Sequence, residues 1–341
     1  MPSEPERLLG ESPAFLRVLE EVSQVAPLEK PVLVVGERGT GKELIAARLH
    51  YLSNRWEGEF LKLNCAAIND SLLETELFGH EAGAFTGASR THKGRFERAH
   101  GGTLFLDELA TTSTLIQEKL LRVIEYGEYE RVGGNRTLYC DVRLVAATNE
   151  DLPTLAEQGG FRHDLLDRLA FDVITLPPLR AREQDILLLA DHFAVGMAQE
   201  LGREYFPGFS PEARDELLAY DWPGNVRELK NVVERCVYRH DEDTPVSEII
   251  FDPFESPYRL RKKTVAGEPV AMQAGETPAT QDDGEGFPID LKQTVQSFEI
   301  RLIEQALVEA KHNQRKAADL LQVTYHQLRG YLKKYDLLKK D

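Results

Sequence analysis

The stretch that decides the fold is Gly36-Glu-Arg-Gly-Thr-Gly-Lys42. The apolar run Pro31–Val35 precedes it and predicts a buried strand, and Glu43–Ser53 follows it with apolar residues at helical spacing. In this strand–loop–helix context, the pattern G-x-x-x-x-G-K is typical of a phosphate-binding loop, because glycines let backbone N–H groups surround a phosphate at a helix N-terminus. Lys42 would reach the β- and γ-phosphate oxygens. A glycine-rich turn that binds nothing is the alternative, and the context argues against it.

A second motif is needed for the metal ion. The residue after the loop lysine is Glu43, where this pattern usually has a serine or threonine whose hydroxyl binds Mg²⁺. The apolar strand Thr103–Asp107 ends in a carboxylate pair, Asp107 and Glu108. At the end of a parallel strand, Asp107 would hold Mg²⁺ through water, and Glu108 would polarise the water that attacks the phosphate. A solvated pair of loop carboxylates is the alternative, and the preceding phosphate loop argues against it.

The alternation of apolar strands and amphipathic helices predicts an α/β fold with a parallel sheet between helices over residues 1–175. Residues 176–254 are predicted to form a small helical lid, in which Trp222-Pro-Gly is a helix breaker and Asn225 is the N-cap of the last helix. Residues 255–288 are predicted to be a flexible linker, and residues 289–341 a further domain. The predicted strands are Pro31–Gly36, Phe60–Leu63, Thr103–Asp107, Val142–Thr148 and Phe171–Leu176, and the predicted lid helices are Asp185–Leu201, Pro211–Ala219 and Val226–Tyr238.

The composition excludes several classes of protein. Of the 341 residues, 42% are hydrophobic and 29% are charged, which excludes a disordered chain. Apolar runs fall far short of the roughly 18 residues that a membrane helix needs, and the N-terminus has no apolar signal core. Three widely spaced cysteines (Cys65, Cys140 and Cys236) indicate neither a disulfide framework nor a zinc site. The sequence therefore predicts a reduced, cytoplasmic protein without membrane insertion.

The charge is concentrated unevenly. Residues 311–341 carry eight basic and three acidic side chains, a local charge of +5 in a chain of net charge −16, so residues 1–310 carry −21. A basic end on an acidic body is typical of a protein that touches DNA with one part. Two predicted helices, 313–321 and 326–334, suit a helix-turn-helix, although such spacing also occurs in proteins that never bind DNA. The predicted phosphate contacts are Arg315, Lys316, Lys333 and Lys334, and the residues predicted to face base edges are Thr324, Tyr325, His326 and Arg329.

A third motif, Gly83-Ala-Phe-Thr-Gly-Ala88, has no role in nucleotide chemistry. Composition alone would make it a mobile loop anchored by a buried Phe85. It resembles the GAFTGA loop of the AAA+ enhancer-binding activators of sigma-54 RNA polymerase, and Trp222–Leu229 and the C-terminal helices resemble that family as well. The resemblance covers essentially the whole chain. It implies a P-loop AAA+ ATPase with a helical lid and a C-terminal Fis-type helix-turn-helix, with ATP and Mg²⁺ as cofactors; family members also have Glu at the position of Glu43.

The resemblance also implies roles for residues around the nucleotide. Asn64 would hold Glu108 away from its task until the ring engages its target, Thr148 and Asn149 would sense the γ-phosphate, and Arg227 would be a second sensor. Without the family, these would be a strand-end Asn bonded to its own backbone, a Thr-Asn turn and a surface arginine. The residues implied to bind the nucleotide along the loop are Gly36, Glu37, Arg38, Gly39, Thr40, Gly41, Lys42 and Glu43.

An arginine supplied to the ATP of a neighbouring subunit is implied within Phe161–Arg168. Arg168 is the first candidate for this finger and Arg162 the second. Pairing with Asp164 and Asp167 within the chain is the alternative. A site that needs a neighbour's arginine implies a closed ring, by resemblance a hexamer, and assembly from dimers is left open.

The resemblance implies sigma-54 RNA polymerase holoenzyme and enhancer DNA as partners. Gly83, Ala84, Phe85, Thr86, Gly87 and Ala88 would contact sigma-54, with Phe85 and Thr86 at the tip and Arg131–Gly134 in a second loop nearby. The expected work is the conversion of a closed promoter complex to an open one. Because Leu8–Ser12 are expected to begin the ATPase with no sensor domain before it, control in trans by a PspA-like negative regulator is expected. Trp56 is the candidate docking residue, and a half-buried packing residue is its alternative.

Two other functions compete with this one. An AAA+ motor that acts directly on DNA would give residues 83–88 no target, and its DNA-binding part would lie beyond a linker. A DNA-binding regulator with a vestigial ATPase fold would be expected to have lost Lys42, Asp107 or Glu108, and all three are present.

Overall fold

The computed structural model describes residues 8–240 and 243–254, together with residues 300–303, 305–307, 310, 314–321, 328, 331, 332 and 335. The chain divides into two compact units, residues 1–260 and residues 261–341, which are described separately.

The first unit is built on a five-stranded sheet in which every neighbouring pair is parallel, as predicted. The strands run in the order β2–β3–β6–β1–β7, and a separate antiparallel hairpin joins β4 to β5. The strands are β1 (Val32–Val35), β2 (Phe60–Asn64), β3 (Thr103–Asp107), β4 (Glu128–Glu130), β5 (Thr137–Tyr139), β6 (Arg143–Thr148) and β7 (Val173–Thr175).

The central strands are apolar along their whole length because helices cover both faces of the sheet. One face packs into a core that includes Leu104 and Leu106, and the other into a core that includes Val34 and Phe105. The helices of this unit are α1 (Pro13–Val25), α2 (Lys42–Tyr51), α3 (Asp70–Phe78), α4 (Arg95–Arg98), α5 (Thr114–Tyr126), α6 (Leu152–Glu157), α7 (His163–Leu169), α8 (Glu183–Glu200), α9 (Pro211–Ala219) and α10 (Asn225–Arg239).

The strand register brings four chemically important positions to one edge of the sheet. Val35 lies opposite Thr148, and Asn64 lies opposite Asp107. Because the strands are parallel, their carboxyl ends meet there, so the loop that follows β1 begins beside the polar ends of β2, β3 and β6.

The lid predicted for residues 176–254 has its own core, formed mainly by α8, α9 and α10 around the fully buried Trp222. The indole Nε1 of Trp222 donates to the carbonyl of Leu217 at 2.9 Å. The prediction that Asn225 is an N-cap was wrong: Gly224 holds the cap position, and its N–H donates to Glu228 Oε2 at 2.7 Å. The Asn225 side chain instead contacts residues outside α10.

A buried polar cluster ties the segment before α1 to the first lid helix. Asp185 of α8, fully buried, accepts hydrogen bonds from the backbone N–H of Glu11 and Ser12, from the Ser12 hydroxyl at 2.6 Å and from Arg182 Nε at 2.8 Å. The Arg182 guanidinium lies 3.8 Å from the centroid of the Phe15 ring. The buried charges are thus paired with each other and with backbone donors, which offsets much of their desolvation cost.

The second unit contains the helix Gln314–Leu320. Its Ala317 and Ala318 are buried in a small core with Ile303, Leu328 and Leu332. In the part of the chain that the structure describes, no helix is long and apolar enough to cross a membrane.

Candidate nucleotide site and the loops around it

The loop between β1 and α2 has the conformation that its glycines permit. Gly39 and Gly41 adopt φ of 79° and 96°, the left-handed region that favours glycine. Gly41 is the N-cap of α2, so the first N–H groups of that helix face the loop. Lys42 Nζ donates to the carbonyl oxygens of Gly36 and Glu37 at 2.9 and 3.3 Å, and the Thr40 hydroxyl donates to the Glu37 carbonyl at 2.9 Å.

Lys42 is 8% exposed and carries a perturbed amine. Burial lowers its pKa, and the negative charges of Glu108 and Asp107 act in the opposite direction. Lys42 and the carboxylate pair are therefore close enough to interact electrostatically.

The carboxylate pair is held at the end of β3. Glu108 adopts φ of 53°, an uncommon conformation for a non-glycine residue, and its N–H donates to Asp107 Oδ1 at 3.0 Å. The Glu108 side chain is only 14% exposed, and its Oε1 lies 3.9 Å from Arg38 Nε. Asn64 Nδ2 donates to Asp107 Oδ2 at 3.2 Å, and Asn64 Oδ1 accepts from the Ala66 N–H at 2.9 Å. Asn64 thus accepts a hydrogen bond from the nearby backbone, which is the alternative considered for a strand-end Asn. Its amide nitrogen contacts Asp107 rather than Glu108.

These residues surround a cleft of about 800 Å³ that the lid closes on one side. Its wall also includes apolar side chains from the N-terminal segment and the lid, among them Leu9, Phe15 and Phe193. A cavity of this size, lined by both apolar and charged side chains, suits a nucleotide-sized ligand. The predicted nucleotide-site residues that line it are Arg38, Gly39, Thr40, Gly41, Lys42, Glu43, Asp107, Glu108 and Arg227.

Five predicted residues are not part of the lining of this cleft: Gly36, Glu37, Asn64, Thr148 and Asn149. Glu37 is engaged by the lid, since its carboxylate accepts hydrogen bonds from Arg180 and Asn225. The fully buried Thr148 touches the loop through its backbone, because the Gly36 N–H donates to its carbonyl at 3.2 Å. Its hydroxyl accepts from the Glu150 N–H at 3.0 Å, while the neighbouring Asn149 is exposed.

Glu43 lines the cleft, but its carboxylate pairs with Lys62 of β2 at 2.7 Å. Both side chains are about half exposed. Glu43, which stands where this motif usually has Ser or Thr, is thus paired with Lys62 of the α/β body.

Neither candidate finger arginine lines the cleft of its own chain. Arg162 makes two hydrogen bonds with Asp164, at 2.7 and 3.0 Å, which is the local pairing considered as the alternative. Arg168 Nε contacts Glu125 of α5 at 2.8 Å and not Asp167, the partner named in the alternative, and its side chain is 60% exposed.

The loop at residues 83–88 projects from the body. A hydrogen bond from the Gly83 N–H to the Ala88 carbonyl at 2.7 Å closes it, and Gly83 and Gly87 adopt φ of 84° and 102°. Phe85 is 49% exposed and Thr86 is exposed, so the alternative of a loop anchored by a buried phenylalanine was wrong.

The loop at residues 131–134 lies against the first loop. Arg131 contacts Glu81 and Glu97 at 2.7 Å each, and a Cβ placed on Gly133 would lie 2.6 Å from Ala84 Cβ. The two loops therefore touch at Gly133 and Ala84, while Arg131 of the second loop pairs with carboxylates outside the first loop.

Two further predicted sites are outside the cleft. Trp56 lies between α2 and β2 and is 57% exposed, so its role as a docking residue and the alternative of a half-buried packing residue both stay predictions. Of the predicted DNA contacts, Arg315 and Lys316 are in the helix Gln314–Leu320, and Lys316 is exposed. The others, Thr324, Tyr325, His326, Arg329, Lys333 and Lys334, lie outside the described residues, as does the predicted linker 255–288.

Comparison with known proteins identifies the parts of the chain. Residues 8–175 match the sigma-54 interaction domain, residues 180–256 match the AAA+ ATPase lid domain, and residues 294–335 match the Fis family of bacterial regulatory proteins. The chain is 57% identical over 333 residues to the Psp operon transcriptional activator of Escherichia coli (strain K12), covering 97% of this chain and 98% of the relative. The chain belongs to the sigma-54-dependent AAA+ activators.

Other members of the family are longer. The transcriptional regulatory protein ZraR of Salmonella typhimurium is 53% identical over 67% of this chain and 52% of its own length. Among solved structures, NtrX from Brucella abortus in complex with ADP and in complex with ATP each match with a TM-score of 0.67, covering 96% of this chain and 69% of NtrX. The sequence identities are 31% and 30%.

As a sigma-54-dependent activator, the protein is an ATPase that acts with sigma-54 and binds DNA through its helix-turn-helix. The predicted fold, a P-loop AAA+ domain with a helical lid and a Fis-type helix-turn-helix, is confirmed. Sequence analysis missed the residues through which the activator's lid holds its α/β body, above all Arg180, Arg182 and Asp185. The acidic and basic residues at the start of α8 were visible in the sequence, but nothing local identified their partners.

Proposed function

We propose that the activator binds ATP with Mg²⁺ in the cleft beneath the lid and uses its hydrolysis to convert the closed sigma-54 promoter complex to the open complex. The observation that carries the proposal is that one cleft is lined by Lys42, Asp107, Glu108 and the lid residue Arg227. The proposed organisation is an ATPase body at residues 1–175, a lid at 176–254, a linker at 255–288 and a DNA-binding domain at 289–341.

The proposed chemistry follows from the charge of the groups. Lys42 and the backbone N–H groups from Arg38 to Glu43 would bind the phosphates, because they are donors at the start of a helix. Carboxylate oxygens are ligands that Mg²⁺ accepts together with phosphates and water, so Asp107 fits that ion, which would neutralise phosphate charge when bound. Glu108 would accept a hydrogen bond from the attacking water and polarise it.

The remaining predicted residues would read the nucleotide state. Thr148 and Asn149 would sense the γ-phosphate from the end of β6, and their support is the hydrogen bond from the Gly36 N–H to the Thr148 carbonyl. Arg227 would sense it from the lid, and its support is its place in the cleft wall. Asn64 would act on the carboxylate pair through Asp107.

A hexameric ring is proposed because neither candidate finger, Arg162 or Arg168, lines the cleft of its own chain. Arg162 and Arg168 each pair with a carboxylate away from the cleft. Arg168 is favoured because its side chain is 60% exposed, against 33% for Arg162. It also makes one hydrogen bond to its carboxylate partner, whereas Arg162 makes two. The neighbour's arginine would neutralise charge on the transferring phosphoryl group. Whether dimers assemble into the ring is an outcome to be measured.

The loop Gly83–Ala88 is proposed to contact sigma-54 through Phe85 and Thr86. Its support is the exposure of the Phe85 ring and the close approach of Gly133, in the second loop, to Ala84 of this one. Nucleotide-dependent movement of the two loops would perform the remodelling.

The genetic context is proposed from the similarity to the Psp operon transcriptional activator. The proposed targets are phage-shock genes of the envelope stress response, activated in the cytoplasm from enhancer DNA bound by the helix-turn-helix. A PspA-like negative regulator would act in trans, docking at the exposed Trp56. Retained repression of a Trp56→Ala variant would contradict that docking site.

The test is an open-complex assay. Purified full-length protein and ATP are added to a closed complex of sigma-54 holoenzyme, and heparin-resistant complexes are scored beside ATP turnover. We expect the wild type and the control variant Thr154→Ala, an exposed threonine outside the loop, to form open complexes. Thr86→Ala should hydrolyse ATP without forming them. ATP turnover without open complexes in the wild type would favour a motor acting directly on DNA, and loss of both activities would favour a vestigial ATPase.

A further inference from the structure

We infer that Asn225 of the lid is a positioning residue for nucleotide binding, which holds the phosphate loop in shape and connects it to the lid. The inference deepens the proposed function and rests on the proposal that this loop binds the phosphates of ATP. It concerns a side chain that does not line the cleft and so acts through the loop.

The amide of Asn225 bridges three segments of the chain. Its Oδ1 accepts from the Leu179 N–H at 2.7 Å, and its Nδ2 donates to Glu37 Oε2 and to the Arg38 carbonyl at 3.0 Å each. Asn225 is fully buried and adopts φ of 52°. Asparagine tolerates this left-handed conformation better than most residues, and the conformation aims the amide at the loop instead of leaving it as a helix cap.

The carboxylate of Glu37 is held by the lid from a second direction. Arg180 donates to both of its oxygens, at 2.9 and 2.5 Å. Hydrogen bonds from Arg180 and then Asn225 lower the pKa of Glu37 to about 2. The carboxylate is therefore ionised at neutral pH and is held by two residues of the lid.

The backbones of the loop and the lid also touch. A Cβ placed on Gly39 would lie 2.2 Å from the Gly224 carbonyl oxygen, so the loop must have glycine here to pack under the lid. The contact is made between the residue before Asn225 and the middle of the phosphate loop.

This arrangement can position the loop because a glycine-rich loop loses conformational entropy when it orders around a phosphate. Contacts that hold the loop in its binding conformation beforehand remove part of that cost and raise affinity. Arg227 follows two residues after Asn225 in α10 and lines the cleft. A change of the loop on nucleotide binding would thus reach the lid through Asn225, two residues before Arg227, which lines the cleft.

The test uses full-length protein and fluorescent mant-ADP. Asn225→Gly removes the amide and tolerates the left-handed backbone, so we expect it to fold. We expect its dissociation constant for mant-ADP and its KM for ATP to rise about tenfold, with kcat at saturating ATP within about threefold of the wild type. A merely structural role would lower the melting temperature and leave KM unchanged at temperatures where the variant is folded.

Hydrogen exchange supplies a second readout. In the wild type, ADP should protect both the loop 36–42 and the lid segment 220–227. In Asn225→Gly at saturating ADP, the loop should still be protected and the added protection of the lid segment should be lost. Arg180→Gln, at a half-exposed position, should shift KM in the same direction by a smaller factor, and it decides the matter if Asn225→Gly does not fold.

The control is Arg55→Gln, which removes two ion pairs, with Glu29 and with Asp141, and touches neither the loop nor the lid. Its KM should equal that of the wild type. The inference is overturned if folded Asn225→Gly binds mant-ADP within twofold of the wild type, or if ADP protects the lid segment equally in both. Failure of the wild type itself to bind mant-ADP would instead overturn the proposed ATP site.

Discussion

Asn64 Nδ2 donates a hydrogen bond to Oδ2 of Asp107 at 3.2 Å, across a register in which the two residues are directly paired. The amide is itself oriented, because its oxygen accepts from the Ala66 N–H. The structure therefore connects Asn64 to the carboxylate proposed to hold Mg²⁺, whereas Glu108 contacts Arg38. Mutation of a residue that orients a metal-holding carboxylate typically lowers metal affinity or activity by about 10- to 100-fold.

We expect Asn64→Ala to raise the Mg²⁺ concentration for half-maximal ATP turnover by about tenfold, because Asp107 loses the donor that orients it. The measurement is a Mg²⁺ titration of steady-state ATP hydrolysis. Asn69→Ala is the matched control, since Asn69 only caps α3. An unchanged Mg²⁺ dependence combined with altered kcat would show that Asn64 acts on Glu108 instead.

For Glu108→Gln, we expect ATP turnover to fall by about 10²-fold or more with nucleotide affinity retained, because the amide cannot polarise water as the carboxylate does. Turnover is measured beside mant-ADP binding. Lys42→Ala should show the opposite pattern, with binding lost first. Turnover of Glu108→Gln within threefold of the wild type would remove Glu108 from its proposed role.

The finger can be tested by mixing two inactive proteins. We expect Arg168→Ala to lower turnover on the order of 10³-fold, because the neighbour's ATP loses a positive charge in the transition state. Mixing it with Lys42→Ala should restore part of the activity, since a Lys42→Ala subunit still supplies Arg168 to the intact cleft next to it. Recovery with Arg162→Ala in the mixture but not with Arg168→Ala would assign the finger to Arg162.

The buried cluster at the lid should dominate the stability of the first unit. We expect Asp185→Ala to lower the free energy of unfolding by about 3–5 kcal/mol, because Arg182 would be left as a buried charge without its partner. Arg55→Gln, which removes two partly exposed ion pairs, should cost about 2 kcal/mol or less. Urea unfolding followed by circular dichroism compares the two variants, and equal midpoints would contradict this account.

The contact between the loop and the lid should be sensitive to acid. Hydrogen bonds from Arg180 and Asn225 lower the pKa of Glu37 from 4.5 to about 2. Since the folded pKa is the lower one, this carboxylate stabilises the fold above pH 4.5 and progressively ceases to do so as the pH falls towards 2. The melting temperature of the wild type should therefore fall more steeply over this range than that of Glu37→Gln. Parallel curves for the two proteins would show that the contact contributes nothing.

Much of this architecture was predictable because its signals are local in the chain. The loop Gly36–Lys42 between a strand and a helix, and the strand ending at Asp107, are short patterns whose backbone requirements appear in consecutive residues. The observed β3 and α9 have the predicted bounds, and the parallel sheet follows from strands that are apolar on both faces. The exposure of Phe85 was not predictable from composition, because burial depends on what packs around a loop.

What required the folded chain was the choice of partner for each polar side chain. Glu37 was assigned to the nucleotide and Asn225 to a helix cap, and both assignments came from local rules that hold for most such residues. In the structure these two side chains, far apart in the chain, bond to each other. A hydrogen bond needs its donor and acceptor within about 3 Å, and only tertiary packing of lid on body brings them to that distance. The chain's motifs thus indicate its chemistry, and the docking of the lid decides which side chains face the nucleotide and which hold the loop.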